Sequence, residues 1–150
     1  MSKVKLTVIA TLLFLGLMSL PNHAKGLTSN EYKAVVDTAY NYFNAMANGD
    51  QQLFSKAFDL DFGHVKMITT NKDTGKESIR SLTLQEFSGF FKKKTEDTWH
   101  GKVLSVDIVD DKMAMVKLDF KTSKSHYIDY LVMYKRDNNW RIINKTFVAK

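Results

Sequence analysis

Hydrophobic positions in the first half of the chain recur at helical spacing. Between Thr28 and Gly49 they fall three and four residues apart, which places them on one face of a helix. Thr28 and Glu31 are spaced as a capping box at its start, and Gly49 favours its end because glycine readily adopts the left-handed conformation. The apolar face consists of Tyr32, Val35, Val36, Ala39, Phe43 and Met46.

Two shorter helices are predicted in the same way. Asp50 is placed to cap the second helix, and Thr83 with Glu86 forms a capping box for the third. Lys92 to Lys94 would lie at the C-terminal end of the third helix, where the helix dipole favours cations. The apolar positions are Leu53, Phe54, Ala57 and Phe58 in the second helix and Leu84, Phe87, Phe90 and Phe91 in the third.

Elsewhere the hydrophobic period is typical of strands. A hairpin is predicted from 64–70 and 77–81, and Gly75 in its turn can take a positive φ. From Gly101 onward the chain reads entirely as strand, and the short polar connections between the runs predict antiparallel hairpins. The four runs are 102–109, 113–122, 126–136 and 140–148.

Helices followed by long strands predict an α+β fold. We expect a cone-shaped domain in which about three N-terminal helices pack on the concave face of a curved antiparallel sheet. Such a cone encloses a pocket, and small-molecule sites favour concavities of this kind.

The N-terminus predicts export. A basic start is followed by an uncharged apolar run from Leu6 to Leu20, then by Pro21 and the small residue Ala24. The run is shorter than the roughly 20 residues that span a bilayer, which favours a signal peptide over a membrane anchor. We therefore expect residues 1–24 to be a signal peptide, residues 25–150 to be one domain, and the protein to be periplasmic or secreted without a membrane attachment after cleavage.

Composition and charge narrow the candidate chemistry. The chain has no cysteine, so it has neither disulfides nor a lipoprotein anchor. Removal of Lys3 and Lys5 with the signal lowers the net charge from +6 to +4, and the basic residues form no stripe for nucleic acid. No glycine-rich phosphate loop or Gly-x-Ser-x-Gly turn is present. His64 with Asp59 and Asp61 matches no metal-ligand spacing, so neither a metal nor a cofactor is expected.

Two segments carry a family resemblance. The first is 42–50, and the second is 127–131 followed by Lys135, 140–145 and Phe147. With the order of elements, they resemble the nuclear transport factor 2-like superfamily (SnoaL-like, with a cystatin-like fold), and within it the bacterial "putative lumazine-binding" family. The resemblance implies a small-ligand-binding domain whose outer sheet face supports a homodimer.

Ketosteroid isomerases share this fold and use a tyrosine and a carboxylic acid as hydrogen-bond donors, which requires an apolar pocket. The resemblance places these groups at Tyr42 and Asp129. The general base of those enzymes falls near Lys66, with His64 two residues away, so that base is absent or replaced.

Structural interpretations compete with these roles. Tyr42 is also suited to be a core tyrosine, and a buried Asp129 needs a partner, which Lys145 could supply structurally or as part of a pocket. The expected ligand is small and partly apolar, whether or not it also carries an anionic group, and the specificity of the domain is uncharacterised. The alternatives are a cofactor-independent isomerase, dehydratase or polyketide cyclase using Tyr42, His64 and Asp129, and an interaction module with a closed cavity. The predicted lining of the ligand pocket is Tyr42, Phe62, His64, Lys66, Tyr127, Asp129 and Lys145.

Overall fold

The computed structural model describes residues 29–150 as three helices and six strands. The predicted signal peptide and Thr28 lie outside the described residues. The helices are α1 (Ser29–Asn48), α2 (Gln51–Ala57) and α3 (Leu84–Ser88), and the strands are β1 (His64–Thr70), β2 (Glu77–Thr83), β3 (His100–Val109), β4 (Met113–Lys121), β5 (His126–Arg136) and β6 (Asn139–Ala149).

Helix α1 buries most of the apolar stripe that the sequence predicts, although Val36 is half-buried and Tyr32 is exposed. Glu31 anchors the first turn to the sheet: its carboxylate accepts a hydrogen bond from the Trp140 indole at 2.9 Å and forms an ion pair with Lys135. These contacts hold the pKa of Glu31 below its ordinary value, the lysine being the larger cause and the indole the smaller. The helix therefore lies across the β5–β6 hairpin in a fixed position.

Gly49 ends α1 with φ +66°, as predicted. A Cβ at this position would lie 2.4 to 2.6 Å from backbone atoms of Lys93, so the close approach of two backbone segments requires glycine. The loop after α3 reaches the end of α1 here.

We expect Gly49→Ala to lower the free energy of unfolding by about 1–3 kcal/mol, because alanine is strained at positive φ and its Cβ also meets the Lys93 backbone. Gly75→Ala is the matched control, since Gly75 has φ +68° but a Cβ added there would have no neighbouring atom within 4 Å. Urea unfolding of both variants measures the difference. An equal loss in the two would contradict a role for the Lys93 contact.

The caps of α2 and α3 form as predicted. The Asp50 side chain accepts the Leu53 N–H, and Thr83 and Glu86 make a complete capping box. However, α3 ends at Ser88 after five residues, so Phe90 is exposed and the lysines 92–94 lie in a loop rather than at a helix end. Their predicted interaction with a helix dipole was wrong, because the chain leaves the helix one turn earlier.

The six strands form one curved, unclosed sheet in the order β2-β1-β6-β5-β4-β3. Four of the pairings are antiparallel, but β1 pairs with β6 in parallel. The sheet is therefore mixed, not purely antiparallel as predicted, because the chain crosses from β2 through α3 to the far edge before it returns. The α+β cone itself is confirmed.

The core lies between the helices and the concave face of the sheet. Alternate residues of β4, from Ala114 to Phe120, are buried on this face. Phe54, Phe58 and Phe87 fill the narrow end of the cone, with Phe54 and Phe58 stacked at 4.5 Å between ring centroids. The wide end is open. No helix within residues 29–150 is long and apolar enough to cross a membrane.

Candidate functional site

Three polar side chains meet in the interior of the cone. The Tyr42 hydroxyl of α1 donates a hydrogen bond of 2.7 Å to Oδ2 of Asp129 on β5. The Lys145 ammonium of β6 lies 2.8 Å from Oδ1 of the same carboxylate. All three residues are almost completely inaccessible to solvent. We refer to Tyr42, Asp129 and Lys145 as the polar triad.

A β-bulge in β6 places Lys145 in this cluster. Val132 pairs with Asn144 whereas Met133 pairs with Ile142, so Ile143 is an extra residue on β6. An inserted residue reverses which side chains face inward. Trp140 and Ile142 face the core before the bulge, and Lys145 faces it afterwards. Without the bulge, regular alternation would turn Lys145 to the outer face.

Burial dominates the electrostatics of the polar triad. It raises the pKa of the Tyr42 hydroxyl well above its ordinary value, an effect that the Asp129 charge strengthens, so Tyr42 remains a hydrogen-bond donor. Burial also raises the pKa of Asp129, against the opposing effects of Lys145 and Tyr42. It lowers the pKa of Lys145 to about 8, while the Asp129 carboxylate opposes the change. The lysine therefore titrates closer to neutrality than an ordinary lysine.

The polar triad borders a pocket of about 370 Å³ that opens at the wide end of the cone. This volume is within the range of small-molecule sites. The interior is mainly apolar and aromatic, and small polar or charged side chains surround the mouth. The interior residues are Tyr42, Met46, Phe87, Phe91, Trp99, Phe120, Tyr127, Lys145 and Phe147, and the mouth residues are Thr95, Asp97, Thr122, Lys124 and Ser125.

Stacked aromatic rings form one wall of the pocket. Phe120 lies between Trp99 and Tyr127, at centroid distances of 5.6 and 4.8 Å. The indole Nε1 of Trp99 is buried and has no hydrogen-bond partner within the described residues. A buried donor without a partner is energetically unfavourable. A ligand or water that accepts a hydrogen bond from Nε1 of Trp99 would therefore bind more tightly.

Backbone contacts hold the mouth in place. The Ser123 N–H donates to the Asp97 carboxylate at 3.1 Å, and the side chain and, to a smaller extent, the backbone of Ser123 lower the pKa of Asp97 by hydrogen bonding. The Thr95 N–H donates to the Ala47 carbonyl at 3.1 Å. These bonds connect the loop after α3 to the β4–β5 turn and to α1, so the entrance is built from three elements that are joined to one another.

Four of the residues that the sequence predicts for the site lie at the pocket. Tyr42, Tyr127 and Lys145 line it, and Asp129 lies behind Lys145 within the polar triad. The two interpretations of Asp129 and Lys145, a structural pair and a pocket pair, therefore coincide in one arrangement.

Phe62, His64 and Lys66 lie elsewhere, against the sequence prediction. Val65 is buried and pairs with Lys145, so its neighbours His64 and Lys66 point to the outer face of β1 by the alternation of a strand. Phe62 is 72% exposed and its ring lies beside Arg136. His64 consequently cannot serve as a base inside the cone.

The sequence prediction of the site omitted most of the aromatic wall. Phe120 could have been found, because it continues the inward alternation of β4. Trp99, Phe87 and Phe91 could not, since their place depends on where α3 ends and how the following loop returns. Asp59, one of the acids near His64, is buried in an ion pair with Arg136 at 2.8 Å. Within residues 29–150, no three His, Cys, Asp or Glu side chains form a group suited to a metal ion.

Comparison with known proteins places this chain in a family. A family model described as "putative lumazine-binding" matches residues 30–148. The chain is 31% identical over 126 residues to a protein named aldolase FrzH from Cladobotryum sp., an alignment that covers 83% of this chain and 95% of that protein.

Solved structures agree on the fold. A nuclear transport factor 2-like protein of unknown function from Shewanella baltica superposes with a TM-score of 0.67 and 16% identity, covering 81% of this chain and 94% of that one. A ketosteroid isomerase-like protein from Erwinia carotovora atroseptica superposes with a TM-score of 0.57 and 11% identity, covering 81% of this chain and 98% of that one. At such identities the likeness is one of fold.

Proposed function

Since the chain belongs to the family described as "putative lumazine-binding", we propose that it is an exported protein that binds one small, largely apolar ligand. The ligand would lie in the pocket beside the polar triad of this nuclear transport factor 2-like domain. The observation that carries the proposal is a mainly apolar cavity of about 370 Å³ with a single buried lysine in its wall. Pockets that orient a ligand combine an apolar lining with a few polar groups in this way.

The pocket favours a ligand with an aromatic or compact aliphatic body and one oxygen-bearing polar group. The stacked Trp99 and Phe120 rings suit a flat apolar body, and the Lys145 amine suits an oxygen that carries full or partial negative charge. Asp97 and Lys124 at the mouth have opposite charges, so the entrance itself selects weakly between anionic and neutral ligands.

Trp99 offers a direct test of binding, because it lies in the pocket wall whereas the only other tryptophan, Trp140, hydrogen-bonds Glu31 in the core. Native mass spectrometry of the purified protein should reveal a co-purified small molecule. Titration with matched aromatic alcohols, aldehydes and carboxylates should change the tryptophan emission of the wild type and of Trp140→Phe, but not of Trp99→Phe. The proposal is contradicted if no ligand co-purifies and no compound of the series changes the tryptophan emission.

Export rests on the N-terminal basic and apolar segments of the sequence. Expression in a bacterial host followed by fractionation should find the protein outside the cytoplasm, with a mature N-terminus near residue 25. A full-length chain in the cytoplasm, still beginning at Met1, would contradict this part of the proposal.

We also propose a homodimer formed through the outer face of the sheet. Four large side chains on neighbouring strands are 37% to 47% exposed there: Met113, Met115, Tyr130 and Tyr134. Met113 pairs with Tyr134, Met115 with Val132, and Tyr130 with Lys117, so the four side chains share one face of β4 and β5. Exposed apolar surface of this kind is characteristic of protein interfaces.

We expect Met115→Lys to raise the dimer dissociation constant about tenfold or more, because a lysine at the centre of this face would lose its hydration in the interface. Sedimentation velocity over a concentration series measures the change. Phe90→Lys is the control, since Phe90 is also exposed but lies outside the sheet. A wild type that stays monomeric at all concentrations would contradict the dimer.

A second candidate is a cofactor-independent acid–base enzyme of the isomerase, dehydratase or cyclase kind. Tyr42 lines the pocket and donates to Asp129 at 2.7 Å, so an acid and a hydroxyl lie together beside the cavity, and one relative is named an aldolase. The base cannot be His64, but Lys145, with its pKa near 8, occupies a suitable place. Exchange of α-protons of an aryl ketone in deuterated water, followed by NMR, tests this candidate; exchange no faster with protein than with buffer would exclude it for that class of ketone.

A further inference from the structure

Lys145 stands out among the lysines of residues 29–150 because it alone is buried. Its Nζ lies 3.8 Å from the ring centroid of Phe147, 5.7 Å from that of Tyr42 and 5.9 Å from that of Phe87. It also borders the pocket directly. The amine is therefore enclosed by aromatic faces, by one carboxylate and by the space that a ligand would fill.

The contact with Asp129 leaves the amine available. Nζ and Oδ1 are 2.8 Å apart, and this contact engages at most one of the three ammonium hydrogens, so the other two point away from that oxygen. Tyr42 holds the other carboxylate oxygen, so the position of Asp129 does not depend on the lysine alone.

Burial also increases the reactive form of the amine. The nucleophile in amine chemistry is the neutral form, and a lysine in an apolar pocket loses its proton more easily. With a pKa of about 8 instead of 10.5, the neutral fraction near neutral pH is on the order of a hundredfold larger than for an ordinary lysine.

We propose that Lys145 is a carbonyl-capturing residue: its Nζ forms an imine with an aldehyde or ketone carbon of the ligand, whose apolar body lies against the aromatic wall. The proposal deepens the proposed function, on which it rests, by naming carbonyl compounds as the ligand class and Lys145 as the residue that forms a reversible covalent bond with them.

The polar triad can supply every proton that this step needs. The ammonium first gives a proton to the Asp129 carboxylate, and the neutral Nζ then forms a C–N bond to the carbonyl carbon while one N–H proton passes to the carbonyl oxygen. Asp129 returns its proton to the resulting hydroxyl. The C–O bond then breaks, and the hydroxyl leaves as water. The product is an iminium beside the Asp129 carboxylate, so the charges of the original ion pair are restored and no oxidant or reductant is consumed.

The test traps the iminium by reduction. The purified protein is incubated with benzaldehyde and sodium cyanoborohydride, and intact-mass and peptide mass spectrometry locate the benzyl group. We expect labelling of Lys145 to exceed that of any exposed lysine by on the order of tenfold, because its neutral fraction is larger. We also expect benzyl alcohol in excess to reduce the labelling by competing for the pocket.

Two variants test the assignment. Lys145→Arg keeps a cation next to Asp129 but cannot form an imine, and it should lose the fast-labelled site. Lys72→Met removes an exposed lysine in the β1–β2 turn, away from the pocket, and should keep that site. Labelling confined to exposed lysines, or equal labelling of wild type and Lys145→Arg, would overturn the proposal. If Lys145→Arg does not fold, peptide mapping of the wild type decides alone.

Binding measured without reductant separates this inference from the proposed function. If benzyl alcohol and benzaldehyde both change Trp99 emission but Lys145 remains unlabelled, carbonyl capture is wrong and ligand binding stands. If neither compound changes the emission and Lys145 is unlabelled, both fail for this ligand class.

Discussion

Lys145→Met is expected to lower the free energy of unfolding by about 3–5 kcal/mol, since it removes the cation from a buried pair and leaves Asp129 uncompensated. The methionine has nearly the same length as the lysine stem, so the aromatic contacts of the side chain are largely retained. The loss then reports on the charge of Asp129 and not on a cavity. Urea unfolding followed by tryptophan emission measures it.

The loss should depend on pH in a definite direction. Burial already raises the pKa of Asp129 above its ordinary 3.8, and Lys145 opposes that rise. Without the lysine the folded-state pKa rises further, so the folded variant binds more protons than the unfolded chain above pH 3.8. Its stability therefore falls as the pH rises through that window. We expect Lys145→Met to be closest to the wild type at acidic pH and furthest from it near neutrality.

A double variant separates charge from packing. In Lys145→Met with Asp129→Leu, no buried charge remains, and replacing a buried ion pair by apolar residues of similar volume is often neutral. We expect the double variant to recover most of the lost stability, although the Tyr42 hydroxyl then lacks its acceptor. A double variant as unstable as Lys145→Met, or a loss that does not change with pH, would contradict this account of the polar triad.

Local sequence signals predicted most of the fold. The boundaries of β1 and β5 follow directly from hydrophobic alternation and polar turns, and the capping residues Asp50 and Thr83 begin their helices as expected. Each of these features depends on residues a few positions apart, for which the physical chemistry of a turn or a cap is sufficient.

The site was only partly predictable because it depends on contacts between distant elements. The bulge at Ile143 turns Lys145 inward. The alternation of apolar and polar residues along β6 does not predict this extra residue. The parallel pairing of β1 with β6 determines that Val65, and not His64 or Lys66, faces the core of the cone. The resemblance to ketosteroid isomerases correctly placed Tyr42 and Asp129 next to each other. It placed the general base near Lys66 and His64, whose side chains lie on the outer face of β1 in this chain.

The polar triad connects stability with function. A buried acid and lysine contribute little net stability, since an apolar pair of similar volume often folds as well. Their position in the wall of an open pocket suggests a functional role. Burial lowers the pKa of Lys145 to about 8. A lysine that titrates near this pH can hold or release a polar group of a ligand. A purely structural pair would not need to face a cavity.

Ser125→Trp is expected to weaken ligand binding about tenfold or more, equivalent to roughly 1.4 kcal/mol, by placing an indole across the pocket mouth. Ser125 is a small, partly buried lining residue on the β4–β5 turn. Its backbone bonds to Thr122 do not involve the side chain, so the turn should persist. Titration with an aromatic alcohol or aldehyde, followed by calorimetry, gives the affinity.

The neighbouring Ser123 provides the control that makes this result specific. Ser123 belongs to the same turn but is exposed and does not line the pocket, and its backbone N–H, which Ser123→Trp retains, bonds Asp97. Ser123→Trp should therefore bind ligand like the wild type, and both variants should unfold at the same urea concentration as the wild type. If the two substitutions weaken binding equally, the added indole acts through the turn and not by closing the pocket; if neither does, the ligand enters the cone elsewhere and the assignment of the mouth is wrong.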